Sequence, residues 1–201
     1  MESLTGTTRS HTSIPAVTLR VVPEQARLDL TAAVEAPTAS GALALLKKSL
    51  ASVEAMLPAL HATMNLLDFD VPHDGGKLST PETRLRAVVT LGLPVTLPAI
   101  ERAGRVAALD DALRAAAAEA KRQKPVIDLR RSLPVYVVVD PEHFRGALVQ
   151  RLHERARSLG GPAGVTLREL RFDRPVEQRS LGLQEVELLL PVEGTASVRL
   201  T

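Results

Sequence analysis

Along Arg27–Glu35, RLDLTAAVE, apolar and polar positions alternate. Leu28, Leu30, Ala32 and Val34 fall on one side, and Arg27, Asp29, Thr31 and Glu35 on the other. A period of two predicts a half-buried strand, and Pro23-Glu24 ahead of it predicts a bend between two strand pieces. From Pro37 the period lengthens. Thr38 or Ser40 is placed to cap a helix, and Leu43, Leu46, Leu50, Val53, Leu57 and Leu60 recur at steps of three and four residues. That stripe gives the helix one buried face, and Pro58 kinks or ends it.

The alternation returns at Leu67, Phe69 and Val71, which interleave with Asp68 and Asp70, and Pro72 stops the strand before the turn His73-Asp74-Gly75-Gly76. Arg84–Val95 reads as the next strand, with Leu85, Val89, Leu91 and Leu93 as burial candidates and Pro94 and Pro98 breaking it up. A second helix is expected around Arg105–Gln123, apolar along Val106, Leu109, Leu113, Ala116 and Ala120. Leu133–Val139 reads as a buried strand. Asp140-Pro141-Glu142 starts a third helix whose stripe is Phe144, Leu148, Leu152, Ala156 and Leu159, stopped at Gly160. Val165–Phe172 changes parity between Leu167 and Leu170, which predicts a bulge. The remainder, LQEVELLLPVEGTASVRL, reads as two strands or one bent strand.

The expected order is β–α–β–β–α–β–α–β–β. Paired strands between helices predict an α+β fold, mainly an antiparallel sheet with about three helices packed on it. No low-complexity linker divides the chain, so a loose Ser/Thr-rich tail (1–15) is followed by one domain (16–201).

Composition narrows the functional classes. The chain has 201 residues, 45% hydrophobic but only 2% aromatic, so its core is aliphatic. Base-stacking platforms and aromatic cages are disfavoured. A net charge of +2 announces neither nucleic acid nor membrane. Cysteine is absent, which rules out disulfides and thiolate chemistry. No apolar run approaches the roughly 20 residues of a membrane helix. Nothing at the N-terminus reads as a signal peptide. As written, the sequence is expected in the cytoplasm, or outside if an export signal has been removed.

The densest polar cluster is DFDVPHDGGK, Asp68–Lys77. Asp68 and Asp70 would project from one strand face and His73 could fold back, an oxygen-and-imidazole set of the kind that suits Mn or Zn. The spacing matches no metal motif: the third acidic position of a calcium loop is Pro72 and its distal Glu is missing. Gly75-Gly76-Lys77 fails as a phosphate loop, since Val71 stands at the first Gly position and Leu78 follows the Lys. His143 and His153 lie ten residues apart on one helix, about 15 Å along its axis, too far to share a site. The best basic cluster, Lys121, Arg122, Lys124, Arg130 and Arg131, is a weak candidate for phosphate contacts without an aromatic platform. No catalytic residue and no cofactor is expected. The polar cluster reads as the wet face and exit turn of a strand.

Taken in order, several segments resemble the SIMPL domain family: Val22-Pro23-Glu24 before the alternating strand, the Ala/Leu-rich helix from Thr38, Arg86–Val89, Gly104–Leu113, Val137–Glu142 with the helix ending in Leu159-Gly160-Gly161, and the closing VEGTASVRL. The resemblance spans about 16–201. It departs at Lys77–Thr83, which lacks the usual Gly-Tyr, and at 124–134. It implies an α+β fold and a tendency to self-associate, with no agreed catalytic chemistry. The functional expectation is therefore a non-enzymatic, self-associating scaffold or assembly subunit, a homo-oligomer with protein partners possible and nucleic acid disfavoured. The Ala-rich helix and a C-terminal edge strand offer surfaces for pairing. Two alternatives stand beside it: a small-ligand or peptide-binding module using a groove between helices and sheet, and a metal-dependent hydrolase centred on Asp68, Asp70 and His73.

Overall fold

The computed structural model describes residues 17–70, 82–160, 165–171 and 173–198. The expected tail, the turn containing His73 to Lys77 and the Gly161–Gly164 loop lie outside the described residues. Three helices pack against antiparallel strands, an α+β fold. Where the sequence reading drew one body, the chain divides into two compact units: Val22–Val137 with Gly182–Gln184, and the segments on either side of these.

Within the unit Val22–Val137, the strand Gln25–Glu35 (β2) follows the bend at Pro23-Glu24; the short strand Val17–Val21 (β1), which precedes the bend, belongs to the other unit. The helix Ala39–Met56 (α1) begins at Thr38, whose hydroxyl accepts from the Gly41 N–H at 3.2 Å. Leu46, Leu50, Val53 and Leu57 are buried, and Leu43 and Leu60 pack at the margin. Pro58 converts the chain to a single 3-10 turn, Pro58–Leu60, because it supplies no N–H to continue the helical ladder.

Ala62–Asp70 (β3) and Glu82–Gly92 (β4) follow, then the helix Ala99–Arg122 (α2) and the strand Ile127–Arg131 (β5). The sheet order is β3-β4-β2-β5, all neighbours antiparallel. With both helices on one face, this β-α-β-β-α-β arrangement is ferredoxin-like. Leu28, Leu30, Ala32 and Val34 of β2 and Leu85, Ala87, Val89 and Leu91 of β4 meet α1 and α2 in one aliphatic core. α2 starts six residues before the expected Arg105, at the residue after Pro98.

The expected buried strand Leu133–Val139 is corrected. Only Val135–Val137 (β6) forms a strand, and Val137 and Val138 are buried while Leu133, Val135 and Val139 are 81%, 51% and 57% exposed. The buried strand is instead β5, with Ile127 and Leu129 in the core. β5 and β6 pair with successive parts of β2, residues 30–34 and 25–27, as one interrupted edge strand. At the break the Ser132 N–H donates to the Asp29 carbonyl and the Asp29 N–H donates to the Ser132 hydroxyl, both at 2.9 Å.

In the other unit, Asp140 caps a 3-10 turn, Pro141–Phe144, by accepting from the Glu142 and His143 N–H groups. The helix Arg145–Gly160 (α3) continues from it and buries Leu148 and Leu152. Val165–Arg171 (β7) pairs with Glu193–Val198 (β10), and the register shifts between Arg168 and Arg171, where the parity change predicted a bulge. Glu177–Ser180 (β8), unrecognised in the sequence, joins Val186–Leu190 (β9) and β1 in a three-stranded sheet ordered β1-β9-β8. Val186, Leu188 and Leu190 form the buried side of β9.

Candidate functional site

The face of the β3-β4-β2-β5 sheet turned away from the helices carries the charges of the alternating strands. Asp68 lies opposite Arg86 and Asp70 opposite Arg84 in the β3–β4 register. Each carboxylate thus has a guanidinium as its cross-strand neighbour, a stabilising arrangement on a wet sheet face. Asp68 also accepts from the Phe69 N–H at 2.7 Å. His73, the third member of the weak metal set, is outside the described residues, and among those described no group of three or more His, Asp or Glu side chains converges to hold a metal ion.

The basic cluster is dispersed. Lys121, Arg122 and Lys124 are exposed at the end of α2 and just beyond, with Arg122 3.4 Å from Glu119. Arg130 and Arg131 project to opposite faces of β5. Arg130 pairs with Asp128 at 2.6 Å on the open face, and Arg131 reaches Asp110 of α2.

That last contact marks a cleft among the described residues. Arg131 shares its side of β5 with the buried Ile127 and Leu129, so it emerges at the end of the core beside α2. The Asp110 carboxylate receives Arg131 on Oδ1 and Arg114, one helical turn on, on Oδ2 at 2.7 Å. Arg131 is only 21% exposed and Arg114 is 68% exposed. Beside this triad a cleft of about 390 Å³ runs between α2 and the 131–136 segment, walled by Leu28, Val106, Leu133, Pro134, Tyr136 and Leu183 among others. Burial raises the Tyr136 phenol above its ordinary pKa, against the opposing pull of the nearby Arg102. Arg102 is itself buried. One guanidinium nitrogen donates to the Pro23 carbonyl at 2.5 Å, its Nε has no hydrogen-bond partner, and burial lowers its pKa.

Two larger depressions are less suited to a ligand. One, about 500 Å³, lies against β2 and β5, where Glu35 stands opposite Glu82 and the charges are spent locally: Arg84 holds Glu82 and Arg130 holds Asp128. The Arg84 hydrogen bond keeps the Glu82 carboxyl below its ordinary pKa. The other, about 460 Å³, is the face of a single helix, α3, including His153 and Glu154. Its His143 neighbour sits in the 3-10 turn, so the two histidines remain in different elements.

The sequence reading singled out Arg131 but as part of a phosphate-contacting patch, and it missed Arg114 and Tyr136. Two signals were present. Asp110 and Arg114 stand four apart on a helix, and Arg131 follows Ile127 and Leu129 at a spacing of two.

No family model matches the chain, and no curated protein matches it. Solved structures similar to it include a hydantoinase/carbamoylase-family amidase from Burkholderia phymatum, 17% identical, TM-score 0.39, over 73% of this chain and 37% of that one. A second amidase of that family, from Burkholderia ambifaria, is 14% identical with a TM-score of 0.36, over 70% and 35%. The aminopeptidase PepT from Bacillus cereus is 15% identical with a TM-score of 0.29, over 74% and 39%. The chain thus spans little more than a third of the length of these proteins. The expectation of a non-enzymatic, self-associating scaffold is not borne out by these comparisons, whose named members are amidases and a peptidase. At these TM-scores the likenesses assign no activity to this chain. Among the described residues, no helix is long and apolar enough to cross a membrane.

Proposed function

We propose that the unit Val22–Val137 is a recognition module for a small molecule with an apolar body, seated in the cleft beside α2. The observation that carries this reading is the cleft itself: about 390 Å³, walled mainly by aliphatic side chains, with the Asp110, Arg114 and Arg131 triad at its edge. Small-molecule sites have this volume range and this ratio of apolar wall to a few converging polar groups. The exposed Leu133 supports the same reading, because a large apolar side chain in water gains when a ligand covers it.

The chain has one tyrosine and no tryptophan, so the Tyr136 ring signals in a proton NMR spectrum report on this cleft alone. A panel of small aliphatic alcohols, amides, amines and carboxylates should include members that shift those signals in a saturable way. Ala107→Leu, a substitution at an exposed position lining the cleft, fills space and should weaken every such member severalfold. A panel that leaves Tyr136 unmoved, or binding indifferent to Ala107→Leu, would exclude this site.

A further inference from the structure

The charge balance of the triad identifies the ligand's chemistry, and this inference rests on the cleft being a ligand site as proposed above. Two guanidinium groups face one carboxylate, and the remaining side chains lining the cleft are uncharged. The site therefore holds one surplus positive charge. Its location follows from burial. Arg131 is mostly covered and needs Asp110 as its counter-charge, since an ion left unpaired away from water is costly. Arg114 lies mostly in solvent, so its own pairing with Asp110 is screened by water and contributes little. Arg114 can thus leave Asp110 at small cost while Arg131 keeps that carboxylate neutralised.

A guanidinium offers a carboxylate two parallel hydrogen bonds. We propose that the cleft binds a monocarboxylate with an aliphatic body, the body lying along Val106, Leu133 and Tyr136 and the carboxylate held by Arg114. A single surplus charge matches a monoanion. A dianionic phosphate would leave one negative charge beside Asp110 uncompensated, which disfavours it. An ammonium group would meet Arg114 and Arg131 as like charges.

Hexanoate and hexanamide share an aliphatic body and differ in charge, so the pair tests this directly. Titrations followed on the Tyr136 ring signals at neutral pH and low salt should give hexanoate at least tenfold tighter binding than hexanamide. Arg114→Gln should abolish that preference, and Arg114→Lys should restore part of it. Hexanamide binding as tightly as hexanoate would overturn the carboxylate assignment while leaving the cleft as a site for neutral molecules. A preference for hexanoate that survives Arg114→Gln would overturn the role given to Arg114. If neither compound nor any other member of the aliphatic panel moves Tyr136, the ligand site itself fails, and the carboxylate assignment with it.

Discussion

Tyr136 concentrates the physical problem of the cleft in one side chain. Its ring forms part of an aliphatic wall, and its phenol is desolvated enough to resist ionisation, with Arg102 pulling the other way. The sign of the pH effect follows. A phenol whose folded-state pKa lies above its unfolded value stabilises the fold fully below pH about 10, and that contribution is lost as pH rises through the folded value. An ultraviolet titration of the native chain should therefore show the sole tyrosine ionising later than the free side chain, at a midpoint above about 10. A midpoint at or below that of free tyrosine would mean the ring is hydrated and the cleft more open than described. At this scale the sequence was partly readable. Asp68 and Asp70 were correctly placed on a wet strand face, because residues two apart share a side. Their pairing opposite Arg86 and Arg84 was not readable, because cross-strand register depends on residues fourteen to eighteen positions away.

Elements whose own pattern fixes them were the ones readable from sequence. α1 is specified locally: Thr38 caps it, a leucine stripe buries it and Pro58 ends it. Thr38→Ala should cost about 1 kcal/mol in chemical denaturation, as removal of an N-cap oxygen does elsewhere. An unchanged midpoint would show the Gly41 N–H finding another acceptor. The edge along β2 was misread for a physical reason. Leu133–Val139 is the more apolar run, but Pro134 lacks an N–H for a ladder and the segment lies at a sheet edge, so Leu133, Val135 and Val139 stay exposed and only Val137 and Val138 are buried. β5 alternates its two buried residues, Ile127 and Leu129, with the charged Asp128 and Arg130. The start of α3 shows local electrostatics at work. Glu142 is bound by Arg145 at 2.6 and 3.0 Å and accepts from the Val176 N–H at 2.7 Å, and these bonds, Arg145 first, hold its carboxyl below the ordinary range. A depressed folded-state pKa contributes stability above the unfolded value of about 4.3, lost as pH falls through the folded one. Thermal melts of Glu142→Gln and the parent chain should differ at pH 7 and converge under acid. Parallel curves down to pH 3 would contradict this.

For the whole molecule, an aromatic-poor sequence must build its interior from Leu, Val, Ile and Ala, and it does so in two places. One core gathers around Leu30, Leu46 and Leu91, the other around Leu148, Leu152, Leu188 and Leu190. The sequence reading treated 16–201 as one body because no glycine- or serine-rich linker marks the crossings near Val21–Val22 and Val137–Val138. Division here is set by which strands pair, and pairing partners such as β1 and β9 are more than 160 residues apart. Two cores imply two separable sets of protecting contacts. Leu152→Ala removes a fully buried side chain from α3, a loss of about 2–5 kcal/mol for leucine-to-alanine changes in packed interiors. Native-state hydrogen exchange should then show protection falling in α3, β1 and β9, while the amides of β2 and β4 keep theirs, because local opening follows the contacts that close each region. Equal loss of protection across β2, β4, β1 and β9 would mean that both cores open in one cooperative step, and the division into two units would have no energetic meaning.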